Sequence, residues 1–283
     1  METAFAELPL AFFTTLAPIG AGAFIALSCA FLTTDFTNEE LSKINKLTIV
    51  PAIVTLVGFV AAFFHLGSPA KAFGVFAGVG SSPLSNEIAV GVVFVIAMLV
   101  YVALAFTGKL KEDLQKIFSV VVAILAVIFA AFCGLAYNME TIASWNTMLS
   151  PVQLVGFALI GGAAFGTLLL AIVNKTDQAK GALIAVSAVG AVLAVAGLIM
   201  LVGNVSAMSN ALVDGASLAA AVSPYEIAAV ICLLLACGCT IAAAMGKYIK
   251  AAAGAAVIFA LVGIFLARLV FYAVQLSVGI CVL

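Results

Sequence analysis

Apolar and polar positions along this chain alternate in long blocks rather than residue by residue. Apolar runs cover about 8–32, 47–66, 87–107, 117–137, 150–173, 181–203, 224–245 and 252–281, each closed by polar residues, Gly or Pro. A span needs roughly 20 apolar residues, so the pattern predicts eight membrane crossings. Backbone that faces lipid must satisfy its own N–H and C=O groups, which makes each crossing a helix. The expected fold class is an all-α integral membrane protein.

Composition sharpens this. With 66% hydrophobic and 8% charged residues, mean hydropathy +1.36, the 283-residue chain lacks the polar surface to cover a soluble globule. It reads as a single transmembrane domain, 1–283, with no room for a separate soluble one. A net charge of −1 without a basic cluster excludes a nucleic-acid-binding surface. Glu2 and Glu7 stand where a secretory signal carries Lys or Arg, so the first run is expected to be retained as a span.

Lysines then orient the helices. Lys43 and Lys46 follow the first run, Lys109, Lys111 and Lys116 the third, Lys175 and Lys180 the fifth, Lys247 and Lys250 the seventh. Only Lys71 lies in the opposite set of loops, and Arg268 lies inside the last run. The positive-inside rule places these lysine-rich loops in the cytoplasm and both termini outside, in a bacterial inner membrane. Longer loops at about 67–86, 138–149 and 204–223 then face outward, an asymmetry that points to an outer docking face, with Lys71 as a docking or solvated charge.

Local signals add detail. Thr37 to Glu40 has a capping-box pattern and predicts a short amphipathic helix before the second span. Pro18 and Pro51 predict kinks. A weak internal repeat, about 8–137 and 150–281, relates Gly80–Ala89 to Ala219–Ala228 at an offset of four spans, as two four-helix bundles of the same orientation would be. In the second copy Ser223, Pro224 and Glu226 read as cap, N1 proline and N3 acid, a structural role for Glu226. The six cysteines, Cys133 and Cys281 among them, fall inside or at the ends of predicted spans and report little about redox compartment, and Cys237-Gly238-Cys239, without the paired spacing of metal sites, reads as small packing residues.

The polar residues that could carry chemistry gather at one face. His65 lies eighteen residues beyond Leu47, about 27 Å along a helix, and Arg268 sixteen beyond Ala252, about 24 Å. Glu87 opens the third span at that face, just after Ser85 as its expected N-cap, and Tyr137 closes the fourth. Ionisable groups within spans are functional candidates by default. Arg268 could snorkel, neutralise Glu87 or hold a ligand oxygen, while Tyr137 and Trp145 read most simply as interfacial belt aromatics. A single histidine cannot supply both axial ligands of a membrane haem, and no cysteine pattern suits an iron–sulfur cluster. Quinol oxidation suits the set, since it releases two protons and two electrons and needs an acceptor that titrates near neutrality, such as His65, with a carboxylate such as Glu87 for the other proton.

His65-Leu66-Gly67-Ser68-Pro69 with Ala72-Phe73, and Gly80-x-Ser82-x-Leu84-Ser85-Asn86-Glu87-Ile88-Ala89, resemble the membrane anchor subunits of anaerobic dimethyl sulfoxide reductases, within the wider polysulfide-reductase anchor group. The likeness extends to Tyr137-Asn138, Thr141, Trp145 and Arg268-x-x-Phe271-Tyr272 with Val278-Gly279. It implies eight helices with outward termini and menaquinol oxidation, with His65 and Glu87 in the quinol site by motif position; Ser85, Tyr137 and Arg268 complete the expected quinol-binding set on their placement at the same face. It further implies an iron–sulfur electron-transfer subunit and a molybdopterin catalytic subunit docked outside. No family motif is present in the fifth to seventh spans. Two other functions compete with this one: a secondary transporter or ion pump, suggested by the repeat, and a purely structural tether.

Overall fold

The computed structural model describes residues 2–65, 69–210 and 212–278, with side chains for all of these except Glu2 and 69–73. Lys71 and Cys281, and much of the His65–Phe73 motif, therefore lie outside the described side chains. Among these residues ten α-helices follow in order: α1 (Glu2–Ala6), α2 (Leu8–Thr33), α3 (Asn38–Leu47), α4 (Ile49–Phe63), α5 (Pro83–Phe106), α6 (Glu112–Leu135), α7 (Leu149–Ile172), α8 (Thr176–Ser206), α9 (Gly215–Ala244) and α10 (Ile249–Ala273), with a 3₁₀ segment at Pro69–Gly78. Among the described residues eight segments are long and apolar enough to cross a membrane, α3 and α4 forming one of them, and no strand forms beyond isolated bridges. The expected all-helical, eight-span membrane fold is the observed one.

Two helices form the centre. The spanning windows of α2 and α7 are 83% and 78% buried, against 28% to 50% for the other six. They pack directly together, and small residues make that possible: a Cβ on Gly22 would strike the Ala158 backbone, and one on Gly162 the Gly22 backbone. α2 also packs against α4 and α6, and α7 correspondingly against α8 and α10; α5 pairs with α6 as α9 pairs with α10. Hydroxyls inside the spans return to their own helix, Thr14 to Leu10 O and Thr15 to Ala11 O, both at 2.7 Å.

Helix ends depart from the sequence reading where caps lie outside the apolar run. The cap of α5 is Ser82, whose Oγ accepts from Ser85 N, with Pro83 as the first helical residue. Ser85 is therefore inside the helix, and Glu87 is its fifth residue, beyond the first turn where the dipole favours an acid. Asp214 caps α9 through Ser217 N, so Pro224 is internal to a long helix and the capping role read for Glu226 does not hold. The same extension reduces the expected 204–223 loop to the connection from Ala207 to Asp214. The break before the second span falls at Thr48, which puts Pro51 in the first turn of α4 rather than at a kink. α10 ends at Ala273, short of the expected 281. The Thr37–Glu40 capping box forms as read, Thr37 N donating to Glu40 Oε2 at 2.9 Å.

Candidate functional site

α10 presents Arg268 and Tyr272, one turn apart and so on one face, to the end of the bundle that also carries the ends of α4 and α6 and the start of α5. Arg268 is completely buried. It does not snorkel. Its Nε donates to Thr14 Oγ1 on α2 at 2.8 Å, and its Nη2 donates to the Tyr272 hydroxyl at 3.0 Å. That hydroxyl lies 2.6 Å from the Tyr137 hydroxyl at the end of α6. The guanidinium carbon sits 4.0 Å from the Phe271 ring centroid, 4.8 Å from Tyr272 and 5.1 Å from Tyr137, within cation–π range.

The aromatic enclosure is held from behind. Trp145 stacks on Phe271 at 5.0 Å and 11°, and its Nε1 donates to Phe271 O at 3.1 Å. Trp145 and Tyr137 are buried rather than displayed as belt aromatics, because each has a polar partner inside. The segment after α10 closes over them: Leu276 N donates to Ser144 Oγ at 2.8 Å, and Val278 N to Thr141 O at 3.2 Å.

Glu87 faces this box from α5. It is buried, and among the described residues no Glu87–Arg268 ion pair forms within 4.0 Å. Two atoms stand out. Glu87 Oε1 and Arg268 Nη1 are both buried and neither has a hydrogen-bond partner. Polar groups left unpaired away from water are unfavourable, so these two atoms have hydrogen-bonding capacity free for a further polar partner. At this end of the bundle, on the neighbouring faces of α5 and α6, Pro83, Asn86, Phe132, Leu135 and Asn138 line a groove of about 230 Å³. Ser85 is buried at the same helix end and lies within reach of Gly78 of the 3₁₀ segment.

His65 occupies a different environment. It follows α4, its side chain is 43% exposed, and its Nδ1 lies 3.2 Å from Glu7 Oε2. No hydrogen bond or ion pair links it to Glu87, Arg268 or Tyr137 among the described residues. The structure thus brings together Glu87, Tyr137 and Arg268, and sets His65 with Glu7. Sequence reasoning missed Thr14 and the approach of Glu7 to His65. Tyr272 could have been found from its four-residue spacing to Arg268, whereas a threonine in an apolar run gives no signal.

The model of the DMSO reductase anchor subunit (DmsC) family matches residues 1–274. The protein belongs to that family. An anaerobic dimethyl sulfoxide reductase subunit of Haemophilus influenzae is 33% identical over 178 residues, and the match spans 63% of each protein. The subunit of the same description from Escherichia coli is 29% identical over 285 residues, covering 100% of this protein and 99% of that one. A second Escherichia coli relative, the anaerobic dimethyl sulfoxide reductase subunit YnfH, is 25% identical across 98% of this protein and 97% of its own length. Family membership and the eight apolar helices make the anchor subunit a multi-pass protein of the bacterial inner membrane, associated with a reductase catalytic complex and part of an anaerobic respiratory oxidoreductase.

Proposed function

We propose that this anchor subunit binds and oxidises menaquinol in the box formed by Glu87, Arg268 and Tyr137, with His65 and Ser85 at its margin. One observation carries the reading: a buried carboxylate oxygen on α5 and a buried guanidinium nitrogen on α10, both without protein hydrogen-bond partners, at the bundle end where sequence neighbours of Glu87 and Cys133 on α5 and α6 line a groove. A quinol offers a hydroxyl to the carboxylate, and the quinone oxygen that results is an acceptor for the guanidinium N–H. Phe132, Leu135 and Pro83 provide the apolar wall that a ring and isoprenoid tail require.

Quinol becomes quinone by losing two protons and two electrons. Glu87 and His65 are the groups that accept the protons, and the electrons pass to an iron–sulfur subunit docked at this face, then to a molybdopterin catalytic subunit. The lysine distribution supports this face being the outer one, with both termini there. Protons and electrons then leave on the same side, and the quinol half-reaction moves no charge across the bilayer. A transporter reading has less support: transport sites sit near the midplane on interrupted helices, whereas α5, α6, α7, α8 and α10 are continuous and the polar set lies at one end.

Glu87→Gln keeps the shape and removes the proton acceptor. In the assembled complex it is expected to abolish quinol-driven reduction while reduction by an artificial donor that bypasses the anchor continues. Full quinol-driven turnover in Glu87→Gln would overturn the proposal.

A further inference from the structure

Glu7 stands between α1 and α2, where its carbonyl accepts from Ala11 N at 2.9 Å and its N–H donates to Ala4 O at 3.3 Å. α1 itself packs on α10, the helix that carries Arg268. The backbone of Glu7 is thereby fixed relative to the site. Its side chain is 25% exposed and reaches His65, the only histidine of the protein, at 3.2 Å. The contact is within ion-pair distance but not in hydrogen-bond alignment, and Glu7 Oε2 is a buried atom without a hydrogen-bond partner. A carboxylate oxygen withdrawn from water with no donor is unfavourable until a neighbour supplies a charge or a proton. The Nδ1–H of the imidazole tautomer that leaves Nε2 free is the donor facing that oxygen.

We propose that Glu7 is the positioning residue for His65 in quinol oxidation. The inference rests on the quinol reading above. The carboxylate holds the Nδ1 side of the ring and so turns Nε2 away from itself, toward the quinol hydroxyl. In the step it serves, the quinol O–H bond breaks and its proton goes to Nε2. The electrons left on the quinol pass to the iron–sulfur acceptor. The imidazolium that forms has Glu7 as its counter-charge, and its Nδ1 proton passes through that carboxylate to water. The second quinol proton goes to Glu87, so the balance is one quinol to one quinone, two protons and two electrons.

The test uses the intact complex in membrane vesicles, with a soluble menaquinol analogue as donor and rates normalised to assembled complex. Glu7→Gln is expected to lower kcat about tenfold or more with KM within about twofold, and Glu7→Asp to recover part of the loss. The Glu7→Gln/His65→Gln double variant is expected to be no slower than His65→Gln alone, since both act through one imidazole. Wild-type kcat in Glu7→Gln, or effects that multiply in the double variant, would overturn the role of Glu7 while leaving the quinol site intact. Full turnover in His65→Gln would remove His65 from the quinol reading, and Glu7 with it.

Discussion

The two ends of this helix bundle handle polar groups in opposite ways. At the lysine-rich end the charged and amide groups pair with one another, and the buried atoms left without partners there are neutral hydroxyls, those of Thr34 and Tyr101. Asn45 and Gln115 exchange amide hydrogen bonds inside the protein, Lys175 pairs with Glu40 at 3.0 Å and donates to Asp35 O at 2.9 Å, and Gln178 accepts from Asp35 N at 3.0 Å. A pocket there holds only about 10 Å³, room for one water at most. At the opposite end a carboxylate and a guanidinium are buried with unpaired atoms beside a groove of about 230 Å³. Both ends contain buried polar side chains, so burial alone does not mark function. Incomplete satisfaction next to open volume does, because such an arrangement persists only if something other than folding requires it.

Substitutions at the two ends should therefore separate activity from stability. The largest effect is expected for Glu87→Gln, about a hundredfold or greater loss of quinol-driven turnover with the complex still assembled. Its counterpart under the internal repeat, Glu226→Gln, should leave turnover near wild type, as that half-buried carboxylate lies inside α9 with no guanidinium facing it among the described residues. Equal losses at both positions would erase the contrast.

Tyr272→Phe comes next. It removes the hydroxyl that accepts from Arg268 and meets Tyr137, so it should weaken quinol turnover by about tenfold, a loss of about 1.4 kcal/mol, and, by leaving Arg268 Nη2 without its acceptor, should also lower the thermal stability of the detergent-solubilised complex. Arg268→Lys should not rescue the loss of Arg268, because an ammonium cannot reproduce the planar contacts with Thr14, Tyr272 and Phe271.

At the lysine-rich end the expectation reverses. Gln115→Leu leaves the Asn45 amide unpaired and should cost about 1 kcal/mol of stability, read by thermal unfolding, with turnover per assembled complex unchanged. Adding Asn45→Leu should recover part of that cost. The smallest effect is one of pH. The Thr37 backbone N–H, and then Lys175, hold the Glu40 carboxyl below the usual carboxylate range, and Ser217 does the same for Asp214. A lowered folded-state pKa stabilises above the unfolded value, roughly 4, and that contribution is lost as pH falls through the folded value. Glu40→Gln should slightly flatten the acid limb of stability against pH; both groups are at the surface, so the change is small.

Much of the fold was legible because lipid imposes one rule on every span. Eight apolar runs gave eight crossings, and helix geometry put Glu87, Tyr137 and Arg268 at one end, where the structure links Arg268 to Tyr137 through Tyr272 and buries Glu87 without a link to either. What escaped the sequence was what apolar periodicity does not encode. Asp214 and Ser82 cap their helices outside the apolar runs, so α5 and α9 begin earlier than the runs, and the positions read for Ser85 and Glu226 changed. Trp145 has the sequence signature of a belt residue yet is buried, because its indole N–H finds Phe271 O across the bundle. Glu7 sits in an N-terminal segment whose approach to His65 depends on α1 folding back onto α10, a tertiary contact between residues distant in sequence.

The central claim is that Glu87 and Arg268 bind quinol with the atoms they leave unpaired. Direct titration of the purified complex with a quinol-analogue inhibitor tests it most simply. Glu87→Gln and Arg268→Gln should each raise the inhibitor Kd by at least about tenfold, or 1.4 kcal/mol, whereas Gln115→Leu should leave it unchanged. Wild-type affinity in both of the first two variants would contradict the account.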